Sequence, residues 1–227
     1  KVFSEEGPEL QLLRQCSVPF FNPLREALIR DLIPSVRNWD HMIDRSIRHS
    51  VLPLLHEHLT RAGMAAVPAG VHEHLRNLSY KCAARNTVLL SELNRILELL
   101  DAAGLRAIPV KGPLLAISCY GDLTRRRFDD LDLLMTEKGI LSAREILVQA
   151  GYRSFVNLPL AQMKAFIRAG WDVNLRRGED EYSVDLSTGI TPGFFCFRLS
   201  DHIIRDHLTS FEHQGRNYPS IDRKSVV

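Results

Sequence analysis

The chain has 227 residues, 45% of them apolar and 25% charged, which suffices to bury a core in one large domain or two small ones and excludes a disordered chain. A net charge of +2 and a pI near 8.4 exclude the broad basic field of a protein that coats DNA, so any basic site must be local. The four cysteines, Cys16, Cys82, Cys119 and Cys196, form no C-x-x-C and no paired framework, which points to a reducing, cytoplasmic setting, and no apolar run reaches the about 18 residues needed to span a bilayer.

Residues 1–104 read as helical. In VPFFNPLREALIRDLIP, Asn22 is a candidate cap, Pro23 takes the first helical position, and Leu24, Leu28, Ile29 and Leu32 have the spacing of one helix face. The next segment carries Trp39, Met42, Ile43, Ile47, Val51, Leu54, Leu55 and Leu59, with Pro53 expected to kink or divide it. A long pattern through Leu75, Leu78, Cys82, Leu89, Leu93, Ile96, Leu97 and Leu100 closes at Gly104. His-Glu-His occurs twice, at 56–58 and 72–74. Residues two apart on a helix do not face each other, so both pairs read as ordinary helix-surface histidines rather than a metal site.

The chemistry begins after Gly104. LRAIPV (105–110) reads as a strand, Lys111-Gly112-Pro113 as a turn, and LLAISCY as a helix with Pro113 at its first position. A strand, a glycine turn and a helix N-terminus present backbone N–H groups to a phosphate, and Lys111 adds a positive charge there. Arg125, Arg126 and Arg127 then lead into FDDLDLLM, an apolar strand interrupted by Asp130 and Asp132. Side chains two apart on a strand point the same way, about 7 Å apart along the backbone. Two carboxylates so placed in an apolar strand need compensation, most simply by Mg²⁺. A lone D-x-D pair is usually a solvated strand end; the neighbouring phosphate turn is what directs this one toward phosphates held beside a metal.

Further along, Thr136–Gly139 reads as a turn, ILSAREILVQAGY as a helix ending at Gly151, 152–156 as a strand or an extended link, and LPLAQMKAFIRAG as another helix. WDVNLRR and YSVDLST alternate apolar and polar residues around the turn residues Gly178-Glu179-Asp180, which predicts an antiparallel hairpin. In its second arm Ser183, Asp185 and Ser187 share a face, so Asp185 meets the first carboxylate strand if the hairpin joins that sheet. An isolated strand Asp is more often exposed than catalytic. Finally, GFFCFRLSDHIIRDHLTSF has the apolar content of a helix and GRNYPSID the composition of a turn.

The stretch KGPLLAISCYGDLTRRRFDDLDLL resembles the uncharacterised nucleotidyltransferase family, a distant branch of the polymerase-β-like superfamily. The carrying residues are Lys111, Gly112, Tyr120, Arg126, Asp130 and Asp132, with Asp185 of SVDLST at the place of the superfamily's third carboxylate. The resemblance implies an α+β fold: a helical region (1–104), a nucleotidyltransferase core with a mixed, partly antiparallel sheet (105–195), and a C-terminal helical segment (196–227) that the family usually continues with further helices. It implies that Asp130, Asp132 and Asp185 hold one or two Mg²⁺ ions. Lys111, Gly112 and Arg126 would hold the phosphates of an NTP such as ATP. The implied reaction moves a nucleoside monophosphate onto a hydroxyl of a protein or small molecule, with an RNA end still open as acceptor, and releases pyrophosphate. Oligomeric state is not legible.

Two departures from the superfamily bear on this expectation. Lys-Gly-Pro replaces the Gly-Ser or Gly-Gly of the phosphate turn, as is usual in this branch, and Ser187 stands where the family's third motif has His. The second departure keeps open an alternative, a nucleotide-binding or regulatory module that retained the fold and lost turnover. A third reading, a helical interaction protein whose Asp pair only caps a sheet, predicts no response to metal.

Overall fold

The computed structural model describes residues 7–178, 182–189 and 208–221. The chain divides into two compact units, 1–88 with 116–128 and 89–115 with 129–227. In the first unit, α1 (Pro8–Cys16), α2 (Pro23–Leu32), α3 (Trp39–Arg48), α4 (Leu52–Ala62) and the beginning of α5 (Ala69–Ala102) enclose a core that includes Leu12, Ile29, Ile33, Met42, Leu55, Leu59 and Leu75. Local chemistry sets the helix starts. The Asn22 side chain accepts from the Arg25 N–H at 2.8 Å and Asn38 from that of His41 at 2.9 Å. These are the bonds an N-cap supplies to otherwise orphaned donors. Pro53 divides its segment as expected: it lies in the first turn of α4, after Ser50 has turned the chain at φ 59°.

Two expectations for this unit are corrected. Leu24 and Leu28 do not share the buried face of α2; they are 81% and 52% exposed, while Ile29 and Ile33, one turn apart, are buried. The helix carries more apolar residues than one stripe holds, and packing selects the Ile29 side. His58 is not a surface histidine. It is fully buried, with Nε2 2.9 Å from the Val18 carbonyl and its ring against Phe21.

The second unit is built on a five-stranded mixed sheet in the order β1 (Ile108–Pro109), β2 (Asp130–Leu134), β5 (Tyr182–Ser187), β4 (Val173–Arg177), β3 (Arg153–Ser154). β2 and β5 are parallel, and every other pair is antiparallel. β1 is shorter than 105–110, but the Val110 N–H still donates to the Asp132 carbonyl at 3.2 Å. α6 (Gly112–Tyr120), α7 (Glu137–Gln149) and α8 (Leu160–Arg168) connect the strands. The expected β4–β5 hairpin forms; the turn residues Glu179 and Asp180 lie outside the described residues.

Leu131 and Leu133 of β2, Val184 and Leu186 of β5, and Val173 and Leu175 of β4 are all buried on one face of this sheet. An ionic cluster around the buried Glu92 carboxylate supports the unit: Glu92 accepts from Tyr152 Oη and, toward the surface, from Arg95 at 3.0 and 3.1 Å and from Arg177 at 3.3 Å.

The C-terminal expectation also needs correction. Residues 208–221 form an antiparallel hairpin, β6 (Leu208–His213) and β7 (Arg216–Ile221), rather than the end of a helix and a turn. Gln214 and Gly215 sit at φ 51° and 76°, and this pair of left-handed residues matches the twist of a tight hairpin. Apolar content alone does not separate helix from strand, and here the cross-strand pair Phe211 and Tyr218 decides. Tyr218 Oη donates to Asn94 Oδ1 of α5 at 2.7 Å, and Arg216 Nη1 to Glu98 at 2.6 Å. The preceding residues 190–207, to which most of the expected helix belonged, lie outside the described residues.

Candidate active site

The parallel pairing of β2 with β5 sets Asp132 directly beside Asp185 and Asp130 beside Ser183. Because Leu131, Leu133, Val184 and Leu186 bury the other face, alternation directs all three carboxylates to the opposite one. One oxygen from each of Asp130, Asp132 and Asp185 lies within 4.8 Å of the others, a group able to hold a metal ion. Lys111, following β1, reaches in from the side, with Nζ 2.9 Å from Asp132 Oδ1. Gly112, buried at φ 53°, opens α6 behind it, a backbone conformation that suits glycine.

Electrostatics mark this group as under-compensated. Partial removal from water, and then the charges of Asp132 and Asp185, raise the Asp130 carboxyl above the usual aspartate value, with Lys111 only partly opposing them. Burial depresses the Lys111 ammonium, but its hydrogen bond to Asp132 and the fields of Asp132, Asp130 and Asp172 carry it above the ordinary lysine value. Asp132 Oδ2 is buried without a hydrogen-bond partner. An orphaned carboxylate oxygen beside two further carboxylates fits an oxygen-preferring divalent cation, because such an ion supplies the charge that Lys111 alone does not.

Three further residues complete this face: Ser183, which the alternation of the second hairpin arm already put beside Asp185, and Asn174 and Asp172, which the sequence reading did not single out. Asn174 Nδ2 donates to Asp185 Oδ1 at 2.7 Å and Ser183 Oγ to the same oxygen at 3.2 Å, fixing the third carboxylate in place. Asp172, one residue before β4, is a fourth acid. Burial first, and then the charges of Asp185 and Asp132, raise its carboxyl, with Lys111 opposing. The signal was present in the alternation of WDVNLRR, which puts Asp172 and Asn174 on the Asp185 face once the hairpin register is known.

The other sequence-selected residue, Arg126, belongs to the first unit. There its carbonyl accepts from Asn86 Nδ2 at 2.8 Å, and its Nη1 is buried without a hydrogen-bond partner. Arg125 is engaged by Glu57 at 2.9 and 3.0 Å. The two His-Glu-His runs contribute no group of three metal-ligating side chains among the described residues.

A mixed sheet preceded by a helical region is the architecture the sequence resemblance implied. The chain belongs to the uncharacterised nucleotidyltransferase family, whose sequence profile matches residues 35–225. Among solved structures it is similar to the lincosamide antibiotic adenylyltransferase LnuA in its lincomycin-bound crystal structure, at 14% identity and a TM-score of 0.42 over 60% of this chain and 82% of that one. No curated protein sequence matches the chain. Among the described residues, no helix is long and apolar enough to cross a membrane.

Proposed function

We propose that this protein is a Mg²⁺-dependent nucleotidyltransferase that moves a nucleoside monophosphate from an NTP to a hydroxyl acceptor. The observation that carries this reading is the convergence of Asp130, Asp132 and Asp185, with an unpartnered Asp132 oxygen, beside the Lys111–Gly112 turn. The acceptor hydroxyl releases its proton to solvent as its oxygen bonds to the α-phosphorus, the bond from that phosphorus to the bridging oxygen of the leaving group breaks, and pyrophosphate departs with the electron pair. Asp130, Asp132 and Asp185 are the residues to hold Mg²⁺, which when bound supplies charge neutralisation to the attacking and departing oxygens.

The chain's own side chains do the positioning. Asn174 and Ser183 fix the rotamer of Asp185 through the two bonds to Oδ1. Lys111 neutralises phosphate charge, and the glycine at 112 lets the helix start approach phosphate oxygens without a Cβ in the way.

The test is thermal unfolding of the intact chain with each NTP, with and without Mg²⁺, followed by an assay of pyrophosphate release. A ligand at a hundred times its Kd stabilises by about 2.7 kcal/mol, a readily seen shift. The expected outcome is an NTP- and Mg²⁺-dependent rise that Asp130→Asn/Asp132→Asn removes and Lys111→Ala weakens. No shift with any NTP on a cooperatively unfolding protein overturns the reading.

A further inference from the structure

The carboxylate face of the sheet continues beyond Asp185 into chemistry of a different kind. Arg153 is opposite Arg176 in the β3–β4 register, Asn174 is opposite Asp185, and the Phe155 N–H donates to the Asn174 carbonyl at 3.1 Å. Phe155 therefore extends the row that runs Asp132, Asp185, Asn174 across three strands. Arg176 and Arg153 extend the neighbouring row that begins with Asp130 and Ser183. Phe155 is 49% exposed, and the guanidiniums of Arg176 and Arg153, paired in the neighbouring row, lie 4.8 Å and 5.1 Å from its ring centroid. Ser154, between Arg153 and Phe155, is buried and accepts from Arg144 Nε at 3.1 Å, so the alternation of faces holds at this edge.

We propose that Arg153, Phe155 and Arg176 form a platform for the acceptor, and that the acceptor presents a nucleobase with an attached phosphate, as a nucleotide or a single-stranded nucleic-acid end does. An exposed ring stacks on the face of any base, and flanking guanidiniums pair with phosphate. The position matches the role. Adjacent strands are about 4.8 Å apart, so Phe155 is roughly 10 Å from Asp185, comparable to the length of a nucleoside.

The sheet order fixes the direction. β1 with the Lys111 turn and β3 with Phe155 are at opposite edges. A leaving pyrophosphate on the Lys111 side requires an in-line acceptor from the β4–β3 side. This assignment rests on the nucleotidyl-transfer reading for the location of the donor. The chemistry of the platform does not.

The experiment measures binding of a short fluorescent single-stranded RNA with a free 3′-hydroxyl to the full chain in EDTA by anisotropy, with AMP as a competing probe. Phe155→Ala and the bulk-conserving Phe155→Leu are expected to weaken binding about 5- to 150-fold, the range one base stacked on an aromatic ring supplies. Arg153→Ala/Arg176→Ala is expected to remove about 1.4 from the slope of log K against log salt, two phosphate contacts on a single strand. Displacement by AMP alone, with no RNA preference, supports a free nucleotide as the source.

Absence of binding by both probes, or equal affinity in the Phe155 variants, overturns the proposal. So does a Phe155 effect confined to Mg²⁺–NTP affinity, which would make the platform the donor's base site. Asp130→Asn/Asp132→Asn separates the two readings. If NTP binding does not depend on that pair while RNA binding still depends on Phe155, the transfer reading fails and the nucleotide-binding platform stands.

Discussion

Neutralising Asp130 is expected to stabilise the metal-free protein. Its carboxylate oxygen lies within 4.8 Å of one from Asp132 and one from Asp185. At that separation two unit charges repel by about 1 kcal/mol in a water-like dielectric and by about 3.5 kcal/mol at an effective dielectric of 20. Asp130 is exposed, so the screened end applies. Two such pairs, less the attraction of Lys111, leave a net penalty of about 1 kcal/mol. Asp130→Asn should therefore unfold about 2–4 °C above the wild type in EDTA at neutral pH and low salt. The gap should narrow as salt screens the cluster. With Mg²⁺ and a bound NTP the order reverses, because only the wild type gains the ligand's stabilisation. Circular dichroism melts of both proteins under both conditions give four midpoints. A variant less stable than wild type in EDTA would show that the chain itself compensates Asp130, and the electrostatic argument for a cation site would fall.

Glu92 predicts the acid limb of stability. Its burial favours the neutral form, but hydrogen bonds from Arg95 and Tyr152, the Arg95 charge and Arg177 together bring its carboxyl below the ordinary value of 4.5. A depressed folded value contributes stability that is present above the unfolded value and lost as pH falls through the folded one. Glu92→Gln should therefore flatten urea-measured stability in the region below pH 4.5. Tyr152→Phe should cost about 1.5–3 kcal/mol at neutral pH, the worth of a hydrogen bond to a charged group, read from the urea midpoint at constant slope. Asn86→Ala should destabilise the first unit by about 2 kcal/mol, because Asn86 Nδ2 donates to both the Leu123 and Arg126 carbonyls at 2.7 and 2.8 Å. Cys16, fully buried with its thiol pushed up to about 12 by that burial, should resist alkylation in the native protein and react only on unfolding, as mass spectrometry of labelled peptides would show.

The chain disclosed its central strand and helix boundaries through local rules. Asn22 and Asn38 cap because a short polar side chain before a helix has donors to satisfy, and Asp130 and Asp132 share a face because a strand has period two. The structure supplied what local rules do not contain, namely register. Asp185 was legible only conditionally, and parallel pairing of β5 with β2 made it the neighbour of Asp132. Asp172, Asn174 and Phe155 carry no motif; each joins the carboxylate face through pairing with another strand. The C-terminal hairpin escapes local rules for a related reason, since a short run of mixed apolar and polar residues satisfies helix and strand alike until a partner strand is placed. The burial of Ile29 over Leu24 is likewise a tertiary choice between two faces that local propensity leaves equivalent.

Register also explains how the sheet holds mutually repelling carboxylates together. Leu131 against Val184 and Leu133 against Leu186 set the same pairing on the buried face that sets Asp132 against Asp185 on the other. Shifting β5 by one residue would move Val184 and Leu186 out of the core and Asp185 into it, so the apolar face resists the slip that charge repulsion favours. Burying one leucine or valine side chain contributes about 1.5–3 kcal/mol, more than the screened repulsion of one carboxylate pair. The hydrophobic face therefore dictates the carboxylate spacing, and a cation that binds there meets a site formed before it arrives.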